Sequence, residues 1–564
     1  MTQQLALVSR RDPAKVMRLA RLGSFHQSRL SFMRILTRRM TAEKWTFSRP
    51  VWDIDANGVG HAVYCVHTPD RTYSLVAFAH DLPADKRSDR VIAEAWDSTF
   101  TLFDGTPTEA DIERLRQNVP LQEAGRVTEK ELSVSRANRS VRLWEHVVSR
   151  LAQGQQPDRK AIADVGYLMR TTAVYGSGKL GAADREMISD RPEFSAPFQV
   201  EMLSVYLTRT YVRDLVQHLA NLRGGKNATC LDPDIARGMG IGNSTGLGMA
   251  PFLVNHPRLF NNWIAAREEA IMRVRNLPNA TADEINKFRD LLARSVVSAD
   301  LWTSEHPLQV AKLSVLRSDL DLLCARVESL DFEASLPWNR LFTWAEEALG
   351  EDAQECLASL ILEPYSAIVD PLAAGMSDED AAGFQIDGAM SVATLRAAIA
   401  EIYGWAIDVD WSAKTHCARL WYVSEEKLEP RLGERFEEPI ADYEQPLAPG
   451  RDAALLFDEL KDRDGSGTVA AFLKNHPEQR HCVRRAQIAA KAPYAEIRDN
   501  TIGSELLPID MLRCKLSFFG ATHFDPRSDR WVRICLFGNA PYPEELQRLS
   551  ADDWPYPPRA IAAQ

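Results

Sequence analysis

The spacing of apolar and polar positions changes along this chain. His61-Ala-Val-Tyr-Cys-Val-His67, Thr72-Tyr-Ser-Leu-Val-Ala-Phe78 and the run from Val91 to Phe103 are rich in β-branched and aromatic residues. With the Thr68-Pro-Asp-Arg71 turn between the first two, they predict antiparallel strands. From Asp111 the pattern turns helical. Between about Val141 and Ala400, apolar residues recur at three- and four-residue spacing over Phe198 to Leu222, Leu259 to Asn276, Ala282 to Leu301, Gln309 to Leu330 and Leu341 to Leu362. Strand-like runs return at Cys417 to Val423, Cys514 to Phe519 and Trp531 to Phe537, and a Pro/Gly-bearing linker spans Ala441 to Gly450. The expected fold is α+β: a large, mainly α-helical body with antiparallel sheet from regions 58–103 and 416–537. The expected segments are a basic helical one over 1–50, an antiparallel α+β region over 51–135, a helical body with glycine-rich loops over 136–440, and a C-terminal α+β region over 441–564. The Pro-rich tail from Pro541 to Pro558 reads as an extended strap over the surface or a neighbouring subunit.

Charge changes this picture more than composition does. The chain's formal charge is −11, which disfavours nucleic acid as a general partner, yet residues 1–50 hold eleven Lys/Arg against Asp12 and Glu43. The amino-terminal segment is therefore expected to dock on an acidic surface, that of its own body or of a partner subunit, through a helix with Phe32, Met33, Leu36 and Met40 along one stripe. Ser9-Arg-Arg-Asp-Pro-Ala-Lys15 resembles a twin-arginine export signal, but no apolar stretch follows it. No run reaches the ~18 apolar residues of a membrane span, and the eight cysteines contain no Cys-x-x-Cys pair. A cytoplasmic protein with reduced thiols, no membrane partner and a possible homo-oligomeric state is expected.

Candidate chemistry concentrates in two glycine clusters. Arg237 to Met249 places five of the chain's 29 glycines between Gly238 and Gly248, around Asn243-Ser244-Thr245. Glycines this dense let successive N–H groups turn to one side and cradle an anion. The second cluster, Tyr175-Gly-Ser-Gly-Lys-Leu-Gly181, has the G-x-G-x-x-G form, but Pro192 interrupts the helix that a dinucleotide fold would need. Ala173 and Leu180 also exclude a P-loop. The two clusters are expected to share one cleft. Gly176, Ser177, Gly178, Arg237, Gly242, Asn243, Ser244, Thr245 and Gly246 would bind the substrate there, while Lys179, Asp184 and Glu425 would carry charge and proton transfer.

Other motifs read as structure. Phe252-Leu-Val-Asn-His-Pro257 recurs as Phe472-Leu-Lys-Asn-His-Pro477, which makes His256 a helix-start residue rather than a base. Asp462-Arg-Asp-Gly-Ser-Gly-Thr-Val469 resembles the first half of an EF-hand calcium loop, but Leu473 stands where the bidentate glutamate belongs, so a tight interhelical loop without metal is expected. The His416-Cys417 and His481-Cys482 pairs lack zinc-ligand spacing. Asp97, Glu425-Glu426 and the Arg498-Asp499-Asn500 run are the remaining acid candidates.

The function expected from these residues is acid/base chemistry of the lyase, isomerase or hydrolase kind on a small carboxylated or phosphorylated metabolite, with no cofactor or metal. Two alternatives stand beside it: a non-catalytic scaffold assembling through the basic N-terminal helix, and an ATP-dependent transferase or ligase with a non-standard phosphate loop.

Overall fold

The computed structural model describes residues 8–18, 20–83, 95–118, 126–172, 185–245, 256–302, 307–377, 384–412, 421–423, 430–432, 448–498, 513–525, 532–549 and 554–557. The fold is α+β with a large helical body. Strands β1 (Thr46–Ile54), β2 (Gly60–His67), β3 (Thr72–Ala79), β4 (Ser98–Asp104), β5 (Glu131–Arg139), β6 (Tyr167–Thr171) and β7 (Gly240–Thr245) form a nine-stranded sheet with two C-terminal strands. A separate ribbon pairs β8 (Trp421–Val423) with β9 (Pro430–Leu432), and the two C-terminal strands are β10 (His523–Asp525) and β11 (Val532–Leu536). The sheet order is β1-β2-β3-β4-β5-β6-β7-β11-β10, and every neighbouring pair is antiparallel except β6 and β7.

The strand period is visible in the packing. Ala62, Tyr64 and Val66 of β2, with Leu75 and Ala77 of β3, join the main core. Their sequence neighbours Val63, Cys65, Val76 and Phe78 face a second cluster, as a two-residue period requires. Helix α1 (Phe32–Ala42) lies beside the sheet, and α2 (Glu109–Asn118) covers the second cluster with Ile112 and Leu115. The 26-residue α3 (Gln199–Gly224) crosses the other face and presses Tyr211 onto Phe100 of β4, ring centroids 5.4 Å apart. The helical body continues as α4 (Pro257–Arg275), α5 (Ala282–Leu301), α6 (Pro307–Ser329), α7 (Pro337–Ala348) and α8 (Glu351–Leu360).

A smaller helical unit with its own core comprises α9 (Val392–Ile407), α10 (Ala448–Lys461), α11 (Val469–Asn475) and α12 (Arg480–Lys491). The EF-hand-like stretch is the tight loop between α10 and α11, and it has an internal mate. Asp387-Gly-Ala-Met-Ser-Val-Ala393 runs antiparallel to Asp464-Gly-Ser-Gly-Thr-Val-Ala470. Val392 N donates to Gly467 O and Val469 N to Met390 O, each at 2.8 Å, while Ala393 N reaches Gly465 O at 3.0 Å and Ala470 N reaches Gly388 O at 2.9 Å. Ser391 caps α9 as Thr468 caps α11. Two copies of one loop-helix element thus face each other about a local two-fold axis.

Four expectations change. Strands β1 and β5 form where no strand was expected, and β1 starts inside the basic segment. The stretch Cys514–Phe519 is a buried helical turn rather than a strand. Every residue of it is buried, Lys515 and Ser517 included, and a short, largely apolar run does not distinguish a strand from a buried helix. The Pro-rich tail is no surface strap where it is described: Tyr542, Trp554 and Tyr556 are buried, and Tyr556 donates to Glu363 at 3.1 Å.

The basic amino-terminal segment docks on the chain's own helical body. Arg11 donates to both oxygens of Glu268 at 2.7 Å and to Glu355 at 2.7 Å. Arg21 reaches Glu355 at 3.1 Å, and Arg267 pairs with the same carboxylate. Further along, Arg34 forms a bidentate pair with Glu363 at 2.6 Å, and Arg29 one with Asp370 at 2.7 and 2.8 Å. Burial pushes the Glu355 carboxyl up, but Arg11, Arg267 and Arg21 together hold it down to about 2. His26, buried and stacked on Tyr556 at 5.6 Å, is driven by desolvation down to about 4.

Replacing Glu355 by Ala leaves three buried arginines short of a carboxylate and is expected to cost ~3–5 kcal/mol in denaturant unfolding. Acid sensitivity follows from the two titrations. The unfolded chain protonates His26 first, so that part of the stability is complete above pH 6.5 and declines as pH falls toward 4. The Glu355 contribution is complete above 4.5 and is lost as pH falls toward 2. In His26→Gln the decline between pH 6.5 and 4 should shrink; an unchanged acid profile would exclude His26 as its source.

Candidate functional site

The parallel pair β6–β7 is built from two matching helix-strand units. Asp158 caps the helix Arg159–Val165 by accepting from Ala161 N at 2.8 Å, and Gly166 in the left-handed region, φ 78°, turns the chain into β6. Asp232 caps the helix Pro233–Gly238 by accepting from Asp234 N at 2.9 Å and Ile235 N at 3.1 Å, and Met239 leads into β7. Gly240 N donates to Gly166 O at 2.9 Å, which ties the starts of the two strands together. The strands then run side by side, and Asn243 Nδ2 donates to Thr171 O at 3.3 Å near their carboxyl ends.

The chain therefore leaves β6 toward Gly176 and β7 toward Gly246 from the same edge of the sheet, on adjacent strands. Three polar side chains share one face of the sheet near this edge. Arg170 stands opposite Asn138 in the β5–β6 register, and Arg136 is two residues from Asn138 on the same face of β5. Thr172 binds Arg136 through both backbone groups: its N–H donates to Arg136 O at 2.9 Å, and its hydroxyl accepts from Arg136 N at 3.1 Å. The Arg136 guanidinium lies 5.7 Å from the centre of the Trp96 ring. Sequence spacing carried no signal for Arg136 or Asn138, since strand pairing alone brings them beside Arg170.

The glycine run itself is different from the loop expected. Gly240 to Thr245 is a strand, paired with β6 on one side and β11 on the other. Its glycines answer a packing need. A Cβ on Gly240 would lie 2.2 Å from Leu536 O and 2.5 Å from Cys535 Sγ, and one on Gly242 would lie 2.7 Å from the Tyr167 ring. Gly242 and Asn243 are buried in this strand. Ser244 and Thr245 pair along the backbone with Arg533 and Val532 at its carboxyl end.

Arg237 is not brought to that end. It precedes β7, which is six residues long, so about 20 Å of strand at ~3.3 Å per residue separates it from Thr245. There it pairs with Asp234 and Glu545, and its carbonyl accepts from Arg209 at 3.0 Å. Gly176, Ser177, Gly178, Lys179, Asp184, Gly246 and Glu425 lie outside the described residues.

Glu426, Asp499 and Asn500 also lie outside the described residues, and the other acid and base candidates among the described residues resolve as structural. His80 Nε2 lies 2.9 Å from Thr99 Oγ1, close to Asp97, and resembles a base beside a hydroxyl. The same pair recurs at the other end of β3, where His67 Nδ1 lies 2.9 Å from Thr72 Oγ1 across the hairpin, so each is a tie between strands. Asp97 accepts from Arg139 N at 2.9 Å and fixes the end of β5. His256 and His476 both precede a proline at a helix start, with φ/ψ of −126°/58° and −133°/62°. Burial raises the Glu496 carboxyl above its ordinary value, but Arg485 sits 2.6 Å away and binds it to α12.

Among the described residues no helix is long and apolar enough to cross a membrane. Comparisons with protein-family models, curated proteins and solved structures return no match.

The packing account of the glycines separates from a binding account by stability alone. Gly240→Ala, forced against a backbone carbonyl, should lose ~2 kcal/mol or more. Gly238→Ala, whose nearest neighbour would be Ile162 Cγ2 at 3.8 Å, should change stability by less than ~1 kcal/mol. Equal effects in denaturant unfolding would remove the packing explanation.

Proposed function

We propose that this chain is a cytoplasmic enzyme that binds a small carboxylated or phosphorylated metabolite at the carboxyl edge of β6 and β7. The observation that carries this reading is the parallel pairing of those two strands. It makes both glycine-rich segments depart from neighbouring positions on one edge, beside Arg136 and Arg170 on one face. Ligands of α/β sheets gather outside the carboxyl ends of parallel strands because the connections that diverge there leave a crevice. In this reading Ser244, Thr245 and the amides after Gly246 orient the anion, Lys179 offsets its charge, and Asp184 or Glu425 moves the proton. The seven described cysteines are free thiols, in keeping with a reducing compartment.

The scaffold alternative relied on the basic amino-terminal helix as a docking element. Arg11, Arg21, Arg29 and Arg34 are instead committed to carboxylates of the chain's own body, which favours the enzyme reading.

The test is a thermal-shift screen of inorganic phosphate, di- and tricarboxylates, sugar phosphates and nucleotides on the full chain, repeated on Lys179→Ala and Ser244→Ala. A ligand at 100 times its Kd adds about 2.7 kcal/mol to the native state. The expected result is a rise in Tm with at least one anion that is lost in both variants while their unliganded Tm is kept. No shift with any anion, or full shifts in both variants, overturns the site.

A further inference from the structure

Three distant segments meet at the start of α1. Ser28 N donates to Ser517 O at 2.9 Å, Gln27 Nε2 to Ala521 O at 3.3 Å, and Gln199 Nε2, from the first residue of α3, to Phe32 O at 3.1 Å. The turn Lys515–Phe519 closes in the wide π form, with Gly520 N donating to Lys515 O at 3.2 Å, a rare geometry that gathers at functional sites. Gly520 has φ 90°, and a Cβ there would lie 2.9 Å from Ser31 Oγ. The turn is thus pressed against the helix start.

The polar groups at this junction do not satisfy one another. Ser31 is the N-cap residue of α1, yet its hydroxyl makes no capping bond. Among the described residues nothing accepts from the amides of Phe32 and Met33, although both residues are fully buried. A helix start shut off from water needs its first amides covered by a side chain or a ligand. Ser31 Oγ, Ser517 Oγ, Gln27 Oε1 and Gln199 Oε1 also make no hydrogen bond, and none of these four residues is more than 5% exposed. In both glutamines Nε2 already donates to a backbone carbonyl, so the amide cannot turn over and its oxygen stays an acceptor. Buried polar groups this close together call for a shared partner.

We propose that the junction holds inorganic phosphate. Its oxygens accept from the Phe32 and Met33 amides and from the Ser31 and Ser517 hydroxyls, at the positive end of the α1 dipole. Lys515 adds charge: it is fully buried, with Nζ 5.5 Å from the centre of the Phe519 ring, which is itself 5.0 Å from the Phe32 ring. The two glutamine oxygens decide which oxyanion fits. They only accept, so the ligand must bring hydrogens as well as charge. Phosphate near neutral pH retains O–H groups, whereas sulfate and ionised carboxylates have none. Burial of every one of these residues leaves a phosphate ester no outlet for its organic part, so the free ion is the fit.

This site is separate from the metabolite edge. Phe537, just past β11, donates its N–H to Met33 Sδ at 3.3 Å, and Leu536 pairs with Ile241 near the start of β7. The ion therefore lies toward the opposite end of β7 from Thr245, where it ties the amino-terminal segment and α3 to the carboxyl-terminal turn.

Bound phosphate can be measured two ways on the full chain: release to a molybdate assay on denaturation, and uptake of radiolabelled phosphate in equilibrium dialysis. Together they should account for a stoichiometric amount, which neither sulfate nor a phosphomonoester in large excess displaces. Gln27→Leu/Gln199→Leu should bind phosphate at least ~10-fold more weakly, because two hydrogen bonds to a charged ligand are lost, and should no longer prefer it to sulfate. Lys179→Ala and Ser244→Ala should keep the binding in full. Wild type that neither holds nor takes up phosphate, displacement by sulfate or the ester, or loss of binding in Lys179→Ala or Ser244→Ala each overturns the proposal. So does a double variant that is folded by circular dichroism and binds phosphate as wild type does.

Discussion

The buried ionic network between the amino-terminal segment and the helical body is the constraint on which the architecture rests. Arg11, Arg21 and Arg267 converge on Glu355, with Glu268 completing the Arg11 fork. Removing charges from water costs several kcal/mol for each ion, so such a cluster persists only when every member is held in place by the others. Residues 8–31 therefore cannot peel away without stranding charges between α4, α7 and α8. The chain's far end is tied to the same region: Tyr494 donates its hydroxyl to Arg11 O at 2.7 Å, and Arg513 pairs with Asp352 at 2.7 Å. The segment that holds Arg11 and Arg21 and the stretches around Tyr494 and Arg513 are thus joined in one buried region.

That closure shapes the sheet. β10 and β11, from the last tenth of the chain, can pair next to β7 because the buried turn Lys515–Phe519 brings them there, with Phe519 5.0 Å from Phe32 of α1. β11 then covers the free side of β7 and packs Cys535 and Leu536 against Gly240. The β6–β7 pair is consequently interior on both sides, and its carboxyl edge stands on a scaffold that cannot shear easily. A binding site built there would inherit positional precision from secondary structure, while the glycine-rich connections supply the freedom to contact a ligand.

Local rules were reliable where the local signal was complete. The β2–β3 hairpin, the long helices from Gln199 to Ser329 and the Asn-His-Pro helix starts form at or near their expected positions, because periodicity, turn chemistry and proline geometry act over a few residues, whereas the run from Leu341 to Leu362 divides at Leu349-Gly350 into α7 and α8. The glycine run misled because the same composition serves two ends. Glycine density permits an anion-cradling loop, and it equally permits a strand so closely packed that no Cβ fits. Gly240 and Gly242 belong to the second case, and only Cys535, Leu536 and Tyr167, far away in sequence, decide it.

The sequence by itself determined the α+β class, the helical body and the charge contrast between the amino-terminal segment and the rest. These depend on composition and on spacing within one element. Tertiary structure alone decided that the basic segment is internal, that β1, β5 and β7 are strands, that Arg237 sits at the wrong end of β7, and that Arg136 and Asn138 stand beside Arg170. Each of those outcomes depends on a partner tens to hundreds of residues away. Register and ion pairing are properties of two segments at once, and neither segment carries them alone.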